Sequence, residues 1–317
     1  MTWARIGPWL RWGLVALGLA AVVYFVIATG PSRVFAALAS AGPYAPLIAG
    51  LELAAIATDV GAFASLLGAE ASRVEWRAWL RSSAAAYGCF ALMPAGRTAS
   101  EVARASMLAS HVGALRAATA GAQLQAAALV ADGLISFTCM LVVRLTGDAH
   151  HLAAMLDGNA ALTATSGIVL LFLIRHRRVA QRLAARFPRL FAGLATGETR
   201  PQGLGVAACA WSVLGRLLLC LQYGIAVYAL GAGFSARGAA VAYGVHAVAA
   251  TVGVGLPGQV GVADGAYLLF ADMLGFAREP AHALAVMLAI RAVQVTIALV
   301  CLVLPIVVRR EPVDTAV

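Results

Sequence analysis

The chain has 317 residues, of which 62% are hydrophobic and 12% are charged, and its mean hydropathy is +0.87. A soluble domain carries about 25% charged residues. This composition therefore excludes an ordinary soluble enzyme, a disordered chain, a coiled coil and a small disulfide-stabilised fold. The remaining class is an all-α polytopic membrane protein, in which each span takes roughly 20 residues. We predict a single integral membrane domain over residues 1–317.

The net charge of +9 comes from 23 basic residues, all of them arginine, against 14 acidic residues. In a soluble protein such an excess would suggest a nucleic-acid partner. In a membrane protein the excess belongs on the cytoplasmic loops. We therefore expect no nucleic-acid partner.

Six apolar runs are each long enough to cross a bilayer as a helix. We predict a full span at each run. The runs cover residues 12–28, 45–67, 117–143, 158–174, 206–230 and 281–308.

The region 79–111 does not fit a single span. Its apolar stretch is interrupted at Pro94 and Gly96, and a more polar helix with Glu101 and Arg104 follows. Proline and glycine interrupt a helix and free backbone groups that need new partners. We predict a helical hairpin that enters and leaves on the same membrane face.

The region 239–274 has the same form, and its second helix is predicted to carry Asp264 and Asp272. The sequence leaves open whether each hairpin is re-entrant or a pair of short spans. The residues that interrupt this second hairpin are Pro257, Gly258 and Gly261.

The arginine distribution predicts the orientation. With six full spans and two hairpins, the arginine-rich segments all fall on one side, so both termini are predicted to be cytoplasmic. The richest segment, residues 175–200, has arginines at three- and four-residue spacing beside an apolar face. We predict an amphipathic helix there, lying on the cytoplasmic leaflet.

The order span–hairpin–span occurs twice, over residues 45–143 and 206–308. The proline of each hairpin lies at nearly the same distance from the start of its unit. By the arginine distribution the first unit starts outside and the second starts inside. We therefore predict an inverted repeat, the arrangement with which many transporters place a site near the bilayer midplane.

A charge at membrane depth costs a few kcal/mol, so each one marks a functional candidate. The densest cluster is Arg97, Glu101 and Arg104, whose spacing of four and three residues places them on one helix face. Two arginines and one glutamate leave net positive charge beside a helix break, which favours a phosphate-bearing head group. A structural ion network that holds the hairpin to its neighbours is the alternative.

Other charged residues also lie in apolar segments. Glu52 and Asp59 are seven residues apart on one helix face, where they could pair with an arginine or relay protons. The opposite charges in the two halves suggest pairing between halves. The remaining charges of this kind are Asp132, Arg216, Asp264 and Arg291.

Two stretches resemble elements of the lysylphosphatidylglycerol synthase transmembrane-region family. This family includes the flippase-like domain of the multiple peptide resistance factor and the hopanoid-associated membrane proteins. Residues 94–104 resemble its "PGR…GE..R" element, with Ser100 in place of the usual glycine. Residues 257–264 resemble its "PGGlGv.E" element, with Asp264 in place of the usual glutamate.

The resemblance continues into the later spans. Asp132 matches the aspartate of an "ER..D" element whose glutamate and arginine are here Ala128 and Leu129, and Arg291 resembles an arginine common in the last span. The aminoacyl-transferring soluble domain of the full-length synthases is absent from the sequence. We therefore expect no synthesis of lysyl-lipid by this chain.

The resemblance implies translocation of an anionic, aminoacylated or isoprenoid-type lipid between the leaflets of the bacterial inner membrane. Arg97 and Arg104 would hold a head-group phosphate and Glu101 would order them. Residues Asp132, Asp264 and Arg291 would complete the site. The alternative is a non-transporting lipid-binding scaffold that partners a separate lipid-synthesising enzyme.

No nucleophile–base pair, metal triad or phosphate-loop motif occurs in the sequence. We therefore expect no enzyme activity, no cofactor and no metal site, and we rank a membrane-embedded lipid-modifying enzyme last. The sequence leaves a homo-oligomer open.

Overall fold

The computed structural model describes residues 3–93, 95–146, 150–176 and 205–307. In these residues the chain forms eleven α-helices and no β-strand, which confirms the predicted all-α class. Pro94 and, beyond its first two residues, the predicted amphipathic helix at 175–200 lie outside this range. The helices are α1 Trp3–Thr29, α2 Pro31–Ala41, α3 Ala45–Leu67, α4 Trp76–Leu92, α5 Gly96–Val112, α6 Ala114–Thr146, α7 His150–Arg175, α8 Val206–Ala229, α9 Ala236–Val252, α10 Val262–Leu269 and α11 Pro280–Val307.

Five stretches of the described chain are long and apolar enough to cross a membrane, by length and composition. The protein is therefore a multi-pass membrane protein. α1 contributes a shorter apolar stretch, Ala16–Thr29, where the first full span was predicted. The five stretches are Pro31–Arg73, which contains α2 and α3, together with α6, α7, α8 and Pro280–Leu304 of α11.

We did not predict α2 from the sequence. Gly30 leaves the helical conformation with a φ of 93°. Pro31 then restarts the helix at its first position, where the missing N–H of proline needs no partner. α2 packs against α11, and Val34 joins Leu284 in a small buried apolar cluster.

The second helix of the second hairpin is shorter than predicted. α10 ends at Leu269, and Asp272, which we predicted on this helix, lies in the turns that follow. The N–H of Gly275 donates to the carbonyl oxygen of Asp272 at 3.1 Å. Gly275 has a φ of 90°, a conformation that suits glycine and ends helical structure.

The tips of the two hairpins meet. The first hairpin consists of α4 and α5, and the second consists of α9 and α10. The main-chain N–H of Ala95, at the first tip, donates to the carbonyl oxygen of Val254, at the second tip, at 3.2 Å. The two interruptions therefore lie at the same depth in the molecule.

This contact favours re-entrant hairpins over pairs of short spans. α6, α7 and α8 lie between the two hairpins in the chain. If each of these three helices crosses the membrane once, the two hairpins enter from opposite membrane faces. The amphipathic helix predicted at 175–200, on the cytoplasmic leaflet, would add no further crossing. Two hairpins that each crossed fully would have tips about 30 Å apart. α10, with eight residues, is also only about 12 Å long.

Helices of the two predicted repeat units pack in corresponding ways. α3 packs against α8, while α4 packs against α11 as α9 packs against α6. α7 covers α6, and α2 covers α11. Two units related by a pseudo-two-fold axis would pack in this way, and the repeat itself stays a prediction. The inversion of the units relative to the membrane and the cytoplasmic position of the termini stay predictions.

Candidate functional site

The first interruption fixes the direction of α5. Ala95 has a φ of 52°, in the left-handed region that non-glycine residues rarely adopt. A Cβ atom on Gly96 would overlap the carbonyl group of Phe90, so glycine is required there. α5 therefore begins directly after the turn, and its polar residues follow on one face within its first three turns.

A cavity lies beside this interruption, between α3, α4, α5, α6 and α8. It encloses about 640 Å³, including the space at its mouth. Apolar side chains and charged side chains of both signs form its wall. The charged lining residues are the basic Arg97, Arg104 and Arg216 and the acidic Glu52, Asp59 and Glu101.

Asp132 is not a lining residue of the cavity, but it pairs with two of these arginines. Arg97 Nη1 donates to Asp132 Oδ2 at 2.8 Å, and Arg216 Nε donates to Asp132 Oδ1. The three residues come from α5, α6 and α8, so the pairing joins the two predicted halves. About a quarter of the Arg97 side chain stays exposed, whereas Arg216 is buried. Arg97 is therefore fixed in position and still accessible.

Arg104 is buried without a close carboxylate partner. Its Nη1 donates to the main-chain oxygen of Asp59 at 3.2 Å, and its guanidinium carbon lies 5.5 Å from the ring centroid of Phe63. The nearest Glu101 oxygen is 3.9 Å from Arg104 Nη1, which is too far for a hydrogen bond. Among the residues that the structure describes, Arg104 Nε and Glu101 Oε2 are both buried without a hydrogen-bond partner. A buried polar group without a partner is costly unless a ligand satisfies it.

Glu52 lines the same cavity in a different environment. Its carboxylate accepts hydrogen bonds from the hydroxyl of Tyr87 and from the side-chain amide of Gln222, both at 2.8 Å. The amide of Gln294 lies 3.4 Å away. All three donors are neutral.

The second interruption contains a closed ion pair. Arg291 Nη1 lies 2.7 Å and 2.8 Å from the two carboxylate oxygens of Asp264. Asp264 Oδ2 also accepts the main-chain N–H of Gly261 at 2.8 Å, which caps the start of α10. Arg291 Nη2 donates to the carbonyl oxygen of Gly258 at 3.3 Å. These contacts satisfy backbone groups that the interruption frees.

The structure therefore divides the predicted site residues into two groups. Arg97, Glu101 and Arg104 line the cavity, and Asp132 is bonded to one of them. Asp264 and Arg291 contact each other as a separate clamp, and neither is on the cavity wall. The expected excess of positive charge is wrong, because Glu52, Asp59 and Asp132 join the cluster.

Several residues of the cavity were not among the predicted site residues. Arg216 was noted only as a charge within a span. Gln222 and Gln294, which donate to Glu52, were missed as well. Their position could have indicated a buried polar site, since an amide within an apolar span needs a hydrogen-bond partner. Tyr87 gave no comparable signal. In the part of the chain that the structure describes, no group of three His, Cys, Asp or Glu side chains could hold a metal ion.

The fold and this cavity define a helical membrane protein with a charged internal site. The family model for the lysylphosphatidylglycerol synthase TM region matches residues 12–301, and the chain belongs to this family. It is thus a membrane protein involved in lipid handling. No curated protein and no solved structure matches the chain.

Proposed function

We propose that the protein is a flippase-like transporter that moves a lipid with a charged head group between the leaflets of the bacterial inner membrane. The observation that carries this proposal is the charged cavity at the first interruption. It lies among apolar helices and contains unpartnered polar atoms of both signs, Arg104 Nε and Glu101 Oε2.

The charge composition supports a head group that carries both signs. With Asp132, the cluster contains three arginines and four carboxyl groups. Guanidinium groups bind phosphate through charge-assisted hydrogen bonds, so Arg97 and Arg104 take the phosphate. Asp59 and Glu101 face the same space and take an ammonium group. An aminoacylated or zwitterionic lipid fits this pattern better than a purely anionic one.

The transport step is a movement of the two hairpin units against each other. The main-chain hydrogen bond between Ala95 and Val254 holds the two tips together. Opening this contact on alternate sides would expose the cavity first to one leaflet and then to the other. The process requires no chemical change in the lipid, so we propose a transporter and not an enzyme. A separate lipid-synthesising enzyme would supply the substrate.

The test is an exchange assay in proteoliposomes with acyl-chain-labelled phosphatidylglycerol and phosphatidylethanolamine. Albumin extracts labelled lipid from the outer leaflet, so continued extraction reports movement from the inner leaflet. Wild type should release inner-leaflet label. The double variant Arg97→Gln/Arg104→Gln loses contacts worth about 1.5–3 kcal/mol each, so we expect exchange to slow roughly tenfold or more.

Arg116→Gln is the matched control. Arg116 also pairs with a carboxylate, Glu70, at 2.8 Å, but it does not line the cavity. This control should exchange lipid at the wild-type rate. Equal rates for wild type and the folded double variant would reject the site. Bound lipid without exchange by wild type would instead support the scaffold alternative.

A further inference from the structure

Glu52 is a cavity carboxylate that is deeply buried among neutral partners. Asp59 also has no ion pair among the described residues, but it is only half-buried. Asp132 pairs with two arginines, Asp264 pairs with Arg291, and Glu101 faces Arg104. In the described residues no ion pair joins Glu52 to a basic side chain, although only 3% of Glu52 is exposed. An ionised carboxylate that is buried without a counter-ion is costly, whereas a protonated carboxyl needs only hydrogen bonds.

The partners of Glu52 suit both protonation states. In the ionised state the hydroxyl of Tyr87 and the amides of Gln222 and Gln294 donate to it. The side-chain oxygen of Gln222 is buried, and no described residue hydrogen-bonds to it. A half-turn of this amide would present that oxygen to a protonated Glu52 as an acceptor.

The position of Glu52 connects it to the moving parts. It lies on α3, and its three donors come from α4, α8 and α11, which belong to both predicted units. It also lines the cavity, through which a proton would reach it. The titratable and charged groups around it are Asp59 on its own helix, Tyr87 on α4, Arg97, Glu101 and Arg104 on α5, and Arg216 and Tyr223 on α8.

We propose that Glu52 is a proton-binding site that couples lipid movement to a proton gradient. This inference rests on the proposed function. Glu52 takes a proton from water on one side of the membrane, and the carboxyl group is then neutral among its neutral partners. Movement of the units changes the donors around Glu52 and opens the cavity to the other side. The proton leaves there to water, and the carboxylate is restored.

The first experiment measures the steady-state distribution of labelled lipid across proteoliposomes with a pH difference of one unit. Coupling of one proton to one lipid shifts the leaflet ratio by up to roughly tenfold in wild type. Glu52→Gln cannot bind the proton, so its ratio should not respond to the gradient. The ratio is independent of the exchange rate, so a slower variant still gives an answer. Glu70→Gln removes an acid outside the cavity and should respond as wild type does.

A second measurement does not need transport. Infrared difference spectra across a pH titration should show one protonated carboxyl band in wild type and in Glu70→Gln that is missing from Glu52→Gln, beside the bands of the other carboxyl groups, which Glu52→Gln should retain.

The outcomes separate this proposal from the proposed function. No lipid exchange by wild type at any pH would reject the transporter itself. Exchange that ignores the pH gradient, or that responds to a sodium gradient instead, would overturn the role of Glu52 and leave the transporter standing. A gradient response that survives in Glu52→Gln, or a carboxyl spectrum that is the same in Glu52→Gln as in wild type, would also overturn it.

Discussion

The two interruptions have the same backbone form and different chemistry. Each has a non-glycine residue with positive φ, Ala95 at 52° and Gln259 at 53°, and the two tips are hydrogen-bonded to each other. The first interruption opens onto a cavity with unpartnered polar atoms. At the second, the carboxylate of Asp264 is fully buried and is paired with Arg291 and a backbone N–H. Arg291 Nε is buried without a hydrogen-bond partner among the described residues, as Arg104 Nε is, but neither Asp264 nor Arg291 lines the cavity.

The two interruptions therefore differ in how their polar groups find partners. A broken helix in a membrane leaves backbone groups that need partners. At the second interruption, Asp264 of α10 and Arg291 of α11 satisfy backbone groups of Gly261 and Gly258, and this makes the clamp a structural element. The first hairpin leaves Arg104 and Glu101 incompletely paired, and this makes the cavity suited to a ligand. The three predictions below test this division.

The largest effect is expected at the clamp. Asp264→Asn keeps an oxygen that can cap α10 but leaves the Arg291 charge buried without its carboxylate. Breaking a buried ion pair costs roughly 3–5 kcal/mol, so the unfolding temperature in detergent should fall strongly. Glu279→Gln, which removes an exposed carboxylate beside His282, is the control and should leave it unchanged. A fall no larger than that of the control would contradict the structural role of the clamp.

A smaller effect is expected on lipid preference at the cavity. Asp132→Asn removes the carboxylate that pairs with Arg97 and Arg216 and so makes the cluster more positive by one charge. We expect exchange of phosphatidylglycerol to rise relative to phosphatidylethanolamine by roughly fivefold, which corresponds to about 1 kcal/mol. The same ratio should stay at the wild-type value in Asp264→Asn. An unchanged ratio in Asp132→Asn would mean that this cluster does not contact the head group.

The smallest effect is expected at the tips. A β-branched side chain fits poorly in the left-handed region, so Ala95→Val and Gln259→Val should each lower stability by about 1 kcal/mol. The two losses should be similar, because the two φ values are nearly equal. Thermal unfolding measures both losses of stability. Ala99→Val, on the regular part of α5, is the reference variant. A loss at only one tip would show that the backbones are not equivalent.

The sequence predicted the parts of this arrangement that depend on local pattern. Apolar run length predicted the helical membrane class, proline and glycine predicted the interruptions, and helical spacing placed Arg97, Glu101 and Arg104 on one face. The ion pair between Asp132 and Arg216 joins two residues that are 84 positions apart in the chain and lie on different helices. Spacing within one helix carries no information about which helices pack together, so this pairing could not be predicted.

The same limit applies to Glu52 and to the second hairpin. Glu52 was recognised as a buried acid, but its donors are contributed by three other helices. Asp264 and Arg291 were expected to complete the binding site, because both match charged positions of the family that the sequence resembles. Their mutual pairing depends on how α10 packs against α11.

The most direct test of the division between the two interruptions is photocrosslinking at two glutamines. A photoreactive residue replaces Gln125, which lines the cavity, or Gln259, which lies in the second interruption. After illumination in native membranes, mass spectrometry identifies lipid head groups attached to each position. We predict head-group adducts at position 125 that fall when Arg104→Gln is added, and few at position 259. Adducts that are equal at both positions, or insensitive to Arg104→Gln, would contradict the assignment of the cavity as the head-group site.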